Sequence, residues 1–265
     1  MTEADRERPM SNHPHLRVDR DGPVVTVTLT DPDTRNAQTP SLWRALADAG
    51  ESLPDDVRVV VIRGEGASFS AGLHRQLLTP GGLPGEADIL GLASSDDLDA
   101  VIAELQRGFS VWRTVPAVVV AVVQGHAVGA GFQLALAADL RLLADDAQLC
   151  MREVQLGLVP DLGGTGPLVH LVGYARALEL CATARFVGAR EASELGLATA
   201  VVPRSELDAA AQDLVAALLA TPPDALRALK PLLAKAIHAS ADEQLAAERA
   251  AQAGLLRGLA RRAGR

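Results

Sequence analysis

Lysine is almost missing from this 265-residue chain: it stands only at 230 and 235, and arginine supplies the remaining positive charge. No G-x-x-x-x-G-K-[ST] run exists, so P-loop nucleotide chemistry is excluded, and a Schiff-base lysine could come only from the last helices. Cysteine is scarce too. Cys150 and Cys181 form neither a disulfide framework nor a metal-spaced cluster. No apolar stretch approaches the ~18 residues of a membrane span. The opening MTEADRERPM lacks the apolar core of a signal peptide. A basic surplus is absent as well; the net charge of −8 argues against nucleic acid as a partner. These absences leave a cytoplasmic chain with neither membrane nor nucleic acid among its expected partners.

What is there reads as an α/β protein. Hydrophobic residues make up 48%, enough for one substantial core. Residues 1–14 read as a disordered leader. LRVDRDGPVVTVTLTDP (16–32) predicts a hairpin turning at Asp21-Gly22. TPSLWRALADAGESL (39–53) has helical spacing at Leu42, Leu46 and Ala49, and VRVVVIRGEG (57–66) suits a strand buried on both faces. Residues 79–97, rich in Gly, Pro and Asp, read as a mobile surface loop. A helix is expected near 98–113, a strand over 117–124, and two short strands around Asp145-Asp146. From 162 onward helices dominate. Ser205 and Ser240 are candidate N-caps, the latter heading a capping box, and Pro231 predicts a kink or interruption. The division is thus a core over 15–203 and a C-terminal helical subdomain over 204–265. Its Ala-rich helices suit either subunit contacts or a cap on the same subunit.

Three stretches carry chemistry. SFSAGLHRQLL (68–78) follows the buried strand. GHAVGAGFQLALAAD (125–139) is a Gly-rich turn entering a helix, where backbone N–H groups face a negative group. REVQLGLVPDLGGTG (152–166) holds Glu153 and Asp161 around an apolar segment. Singly, each has a plain structural explanation: tight turns at the glycines, a hydrogen-bonded core Gln133, a helix N-cap at Asp161. A dinucleotide fingerprint from Gly129 fails because Leu134 holds the third glycine position. A nucleophile elbow at Ser70 fails on spacing.

Taken together, and with DPDTRNAQT at Arg35-Asn36-Ala37 and FVGAREASELGLATAVVP (186–203), these stretches resemble the crotonase superfamily, the enoyl-CoA hydratase/isomerase family, over about 16–260. The resemblance implies a ββα spiral core with a C-terminal helical trimerisation subdomain, assembled as a homo-trimer or hexamer. It implies an acyl-CoA substrate whose thioester oxygen is held by the backbone N–H groups of Leu73 and Ala130. An enolate on that oxygen needs preorganised donors in a dry site, and a helix start supplies one with a favourable dipole. Ala71, Gly72 and Gly129 belong to the same passage. Arg35, Ala37 and Lys230 are candidates for binding CoA, and His74 replaces an aspartate common in the family. No metal or redox cofactor is implied, since CoA arrives with the substrate.

Resembling hydratases place two glutamates where this chain has Gln133 and Glu153. An amide cannot exchange a proton at neutral pH. One carboxylate, Glu153, suits a double-bond isomerase, with Asp161 either a second acid or a helix cap. The alternatives are an enoyl-CoA hydratase and a non-catalytic acyl-CoA-binding homologue, with hydrolysis or decarboxylation also open on the same donors.

Overall fold

The computed structural model describes residues 13–86 and 89–264, so residues 1–12 of the expected leader lie outside the described residues. The chain opens with the predicted hairpin, β1 (Leu16–Asp21) and β2 (Val24–Leu29), antiparallel with Leu16 opposite Leu29. After β3 (Ala37–Gln38) and α1 (Pro40–Glu51) come a long strand β4 (Val59–Gly64), a short strand β5 (Gly72–Leu73), a brief α2 (Ile89–Leu92) and the long helix α3 (Leu98–Thr114). The same order recurs as β6 (Val118–Val123), β7 (His126–Val128) and α4 (Ala130–Ala137). It recurs again as β8 (Leu140–Ala144), β9 (Gln148–Cys150), α5 (Thr165–Val172) and α6 (Tyr174–Thr183). β10 (Val187–Gly188), α7 (Ala189–Glu194) and β11 (Ala200–Val202) complete the sheets, before α8 (Leu207–Ala220), α9 (Pro223–Ala236) and α10 (Ala241–Arg262).

Each ββα repeat gives its long strand to one layer and its short strand to another. The long strands form a six-stranded sheet, β1-β2-β4-β6-β8-β11, parallel from β2 onward. The short strands form β10-β9-β7 and β3-β5, joined by a bridge between Ser70 and Ala127. That stepping of repeats is the ββα spiral expected from the sequence. β6, VVVAVV, explains the apolar runs: Val119, Ala121 and Val123 face the core under Trp43, Phe109 and Trp112, while Val118, Val120 and Val122 face a second core under Leu207 and Ala211 of α8. Each such valine contributes about 1.5–3 kcal/mol by leaving water.

Caps form mostly where side-chain oxygens allow. Thr39 accepts from the Leu42 N–H at the start of α1, and Ser240 and Glu243 form the reciprocal capping box of α10. Ser205 is not a cap; it lies inside a 3₁₀ turn, Arg204–Glu206, and α8 begins at Leu207. Nor does Pro231 interrupt its helix, since α9 runs from Pro223 to Ala236. Pro231 and Arg227, whose carbonyl loses its helical partner, are both exposed residues, where a missing helical bond costs least. Among the described residues no helix is long and apolar enough to cross a membrane.

Lys230 ties α9 to the core. Its Nζ donates to the carbonyls of Trp112 (3.1 Å) and Ala117 (2.9 Å) and pairs with Asp139 (2.8 Å), which engages all three ammonium protons. Burial lowers its pKa, and Asp139 opposes that shift. Lys230→Ala strands two carbonyls and leaves Asp139 with the Val119 N–H but without its cation, and is expected to cost about 2–4 kcal/mol in urea unfolding. A loss under 1 kcal/mol would show that the α9 anchor is unimportant.

Candidate active site

The loop before β3 is built to hold β5. Arg35 and Asn36 both adopt left-handed backbone, φ 58° and 55°, which turns the Asn36 side chain inward. There its Oδ1 accepts from the Asp31 N–H, and its Nδ2 donates to the carbonyls of Glu65 and Ser68. The Ala71 N–H donates to the Arg35 carbonyl at 2.8 Å. Ser70 Oγ donates to the Asn36 carbonyl and accepts from Gln38 Nε2 and the Gly72 N–H. Gln38 in turn accepts from the Trp43 indole. Ser70 is fully buried and fully bonded, so it anchors the loop and attacks nothing.

This network aims Leu73. The Gly72 N–H (through Ser70 Oγ) and the His74 N–H (to the Gln38 carbonyl, 2.8 Å) are both committed on the β3 side. Successive strand N–H groups alternate, so the Leu73 N–H faces away from β3. On that side stands the start of α4. Ala130 is its first residue, and an N–H there has no intrahelical acceptor. The two backbones nearly touch. A Cβ on Gly72 would lie 2.2 Å from the Val128 carbonyl oxygen and 3.3 Å from Ala130 N, and φ of +81° also requires glycine.

Glu153 closes the site from the other side. It opens a 3₁₀ turn, Glu153–Leu156, and a Cβ on Gly129 would lie 3.2 Å from its Oε1. That oxygen accepts from Gln133 Nε2 at 2.7 Å, whereas Oε2 is buried without a partner. Gln133, 1% exposed, uses its own Oε1 to accept from the N–H groups of Leu162 (2.9 Å) and Gly164 (3.2 Å). Burial raises the Glu153 pKa above its ordinary value; hydrogen bonds from its own backbone and from Gln133 oppose the rise, and the Asp161 charge adds to it. Desolvation raises Asp161 as well, although this residue is exposed. Asp161 does not cap α5: Gly164 holds that position.

A cavity of about 470 Å³ lies beside Leu73, Ala71, Ala37 and Val128. Arg35, Arg75, Arg152, His74 and His126 line it, and among the described residues no acid does. Phe186 carries the Arg152 guanidinium 5.7 Å above its ring and packs edge-on against His126. Lys230 is elsewhere, held by Asp139, with no ammonium proton left for a phosphate. Sequence reading did not assign Gln38, Arg75 or Arg152 a role, and only their arginine content distinguished the last two.

The enoyl-CoA hydratase/isomerase family model matches residues 19–264, and the chain belongs to that family. It is 31% identical to a Mycobacterium tuberculosis protein described as an enoyl-CoA hydratase, over 88% of this chain and 86% of that one. It is 34% identical to the carnitinyl-CoA dehydratase of Salmonella typhi, over 82% and 79%. Among solved structures, a Thermobifida fusca YX protein described as an enoyl-CoA hydratase shares 50% identity at a TM-score of 0.90, covering 93% of this chain and 94% of that one. The same description accompanies structures with acetoacetyl-CoA and with CoA, each at a TM-score of 0.88 and 50% identity.

The buried carboxylate has a stability consequence. A folded-state pKa raised above the unfolded value means that folding favours protonated Glu153; its ionisation destabilises the fold as pH rises through the raised pKa. Glu153→Gln should therefore melt above the wild type at pH 8, and the difference should vanish near pH 4. An equal or lower melting temperature at pH 8 would contradict the electrostatic description.

Proposed function

We propose that this chain is an acyl-CoA enzyme moving a double bond between carbons 3 and 2 of an enoyl thioester. The thioester oxygen lies between the N–H groups of Leu73 and Ala130. Glu153, through its unpartnered Oε2, removes a proton from carbon 2. The electrons pass into an enolate held by the two backbone donors, and the protonated Glu153 delivers the same proton to carbon 4. Nothing is added or lost. A base in a dry pocket with a raised pKa is suited to this weakly acidic proton. The phosphates of CoA fall to Arg35, Arg75 and Arg152 in the adjoining cavity. The acetoacetyl-CoA and CoA bound by the Thermobifida fusca neighbour support a CoA thioester as ligand.

The observation that carries the isomerase reading is the state of Gln133. Its oxygen is spent on two backbone N–H groups and one amide proton on Glu153, so it offers no acceptor to orient an attacking water. Hydration, the second reading, is favoured by the descriptions of the relatives. A purely binding role is the weaker alternative, because Glu153 faces Gly129 at the start of α4 rather than turning outward. We also propose a homo-trimer or hexamer, assembled through the helices after 204. Leu229, Leu233, Leu245, Leu256 and Leu259 are all exposed there, leaving an apolar surface for a second subunit. Light scattering finding a monomer at micromolar concentration would contradict this assembly.

The function is tested with 3-enoyl-, 2-enoyl- and dienoyl-CoA esters, resolving products by mass and double-bond position. The wild type should convert 3-enoyl to 2-enoyl esters without gain of water, and Glu153→Gln should lose about 10²–10⁴-fold in turnover. Gln133→Glu should add hydration, because two adjacent carboxyls sharing a proton provide both acid and base. Fast hydration by the wild type, unaffected by Gln133→Ala, would overturn the isomerase reading.

A further inference from the structure

Arg141 is a buried cation without an anion. It is the second residue of β8 and only 6% exposed. Its Nε donates to the Leu197 carbonyl at 2.7 Å and its Nη1 to the Ala138 carbonyl at 2.8 Å, which ties β8 to the end of α4 and to the approach to β11. Nη2 donates to no acceptor among the described residues, and no carboxylate among them pairs with the guanidinium. Burial lowers its pKa and only Asp139 opposes the shift, yet Asp139 Oδ2 already serves Lys230 and the Val119 N–H. Arginine does not give up its proton, so the charge stays and lacks a counter-ion. Tethering two carbonyls requires donors, not a cation.

Arg141 lines a cavity of about 430 Å³ that shares no lining residue with the arginine-rich one beside Leu73. It lies between Leu226, Leu233 and Ile237 of α9 and Val118, Leu136 and Leu218 of the body. That volume falls within the range of small-molecule sites. The other charged residues on its walls are Arg113, Lys230 and Asp139. Lys230 and Asp139 neutralise one another, whereas the exposed Arg113 forms no ion pair among the described residues. Positive charge is thus in surplus here, on a chain whose net charge is −8. Apolar walls with surplus positive charge fit an amphipathic anion, and a guanidinium with a free Nη2 fits a carboxylate. A phosphorylated sugar or nucleotide would leave the leucine walls unused. We propose that this cavity binds a free straight-chain carboxylic acid as its anion, with the carboxylate on Arg141 and the alkyl chain beneath α9. The site is separate from the thioester site and does not depend on the acyl-CoA reading.

Calorimetric titration of the full chain, as it assembles in solution, with octanoate, decanoate and 1-octanol tests this site. Decanoate should bind about tenfold more tightly than octanoate, from two further buried CH2 groups. Octanoate should bind about tenfold more tightly than 1-octanol, which has the same tail without the charge. Saturating acetoacetyl-CoA should leave octanoate binding unchanged. Arg141→Gln, which keeps a donor, should bind octanoate and 1-octanol equally. Ala234→Trp, at an exposed residue of α9 on the cavity wall, should abolish binding of both with unchanged thermal unfolding, and it decides the matter if Arg141→Gln fails to fold. Octanoate displaced by acetoacetyl-CoA, or bound undiminished by Ala234→Trp, overturns the proposal and leaves the acyl-CoA reading intact. A wild type that binds no octanoate, as when a second subunit seated on Leu229 and Leu233 fills the cavity, overturns it equally.

Discussion

At Gly72 the strand carrying Leu73 meets the carbonyl of Val128 and the first N–H of α4 with no side chain between them. Any Cβ there would stand 2.2 Å from a carbonyl oxygen, inside the closest approach atoms tolerate. Much of the surrounding structure serves this approach. Asn36, Ser70, Gln38 and Trp43 are linked by buried hydrogen bonds whose effect is to hold β5 in place and turn one N–H outward. A buried polar network is costly unless every member is satisfied, and here Ser70 Oγ alone serves three partners. Rigid donors gain catalytic value in this way, because they need no reorganisation when charge develops before them.

Opposite the donors, electrostatics rather than packing sets the behaviour of the site. Glu153 is kept out of water, near Asp161, with one oxygen on Gln133 and the other without a partner. Gln133 is in effect an extension of the backbone: it transmits the position of the Leu162 and Gly164 amides to the carboxylate. A glutamate at 133 would accept those same two N–H bonds and place a second carboxyl against the first. One substitution therefore separates a site with a single base from one with a proton-sharing pair, without a change of fold.

Much of this was legible in the sequence, for reasons that differ between elements. The valine runs of β4 and β6 and the helices α1 and α3 are long enough for periodicity to declare them, and the Gly-rich turns mark where backbones approach. The two- and three-residue strands β3, β5, β7 and β10 have no period to read, yet they shape the site. Ser205 misled because local chemistry assumes its own partners: a 3₁₀ turn took the place of a capped start, while at Pro231 the helix continues without interruption. Lys230 of the C-terminal helices was a candidate for binding CoA under the resemblance, but Asp139, far away in sequence, holds it. Glu153, Gln133 and the two donor segments came from recognisable stretches. That Gln133 spends its oxygen on the amides of Leu162 and Gly164 depends on a turn geometry no residue pattern encodes.

In the function we propose, two backbone donors and one buried carboxylate together make a thioester enolate. Exchange of the carbon-2 protons of a saturated substrate, butyryl-CoA, in deuterated buffer reads that step apart from any acyl-chain preference or double-bond outcome. The wild type should introduce deuterium at carbon 2 far faster than buffer alone, and Glu153→Gln should not. Exchange no faster than buffer, or equally fast in Glu153→Gln, would contradict the account.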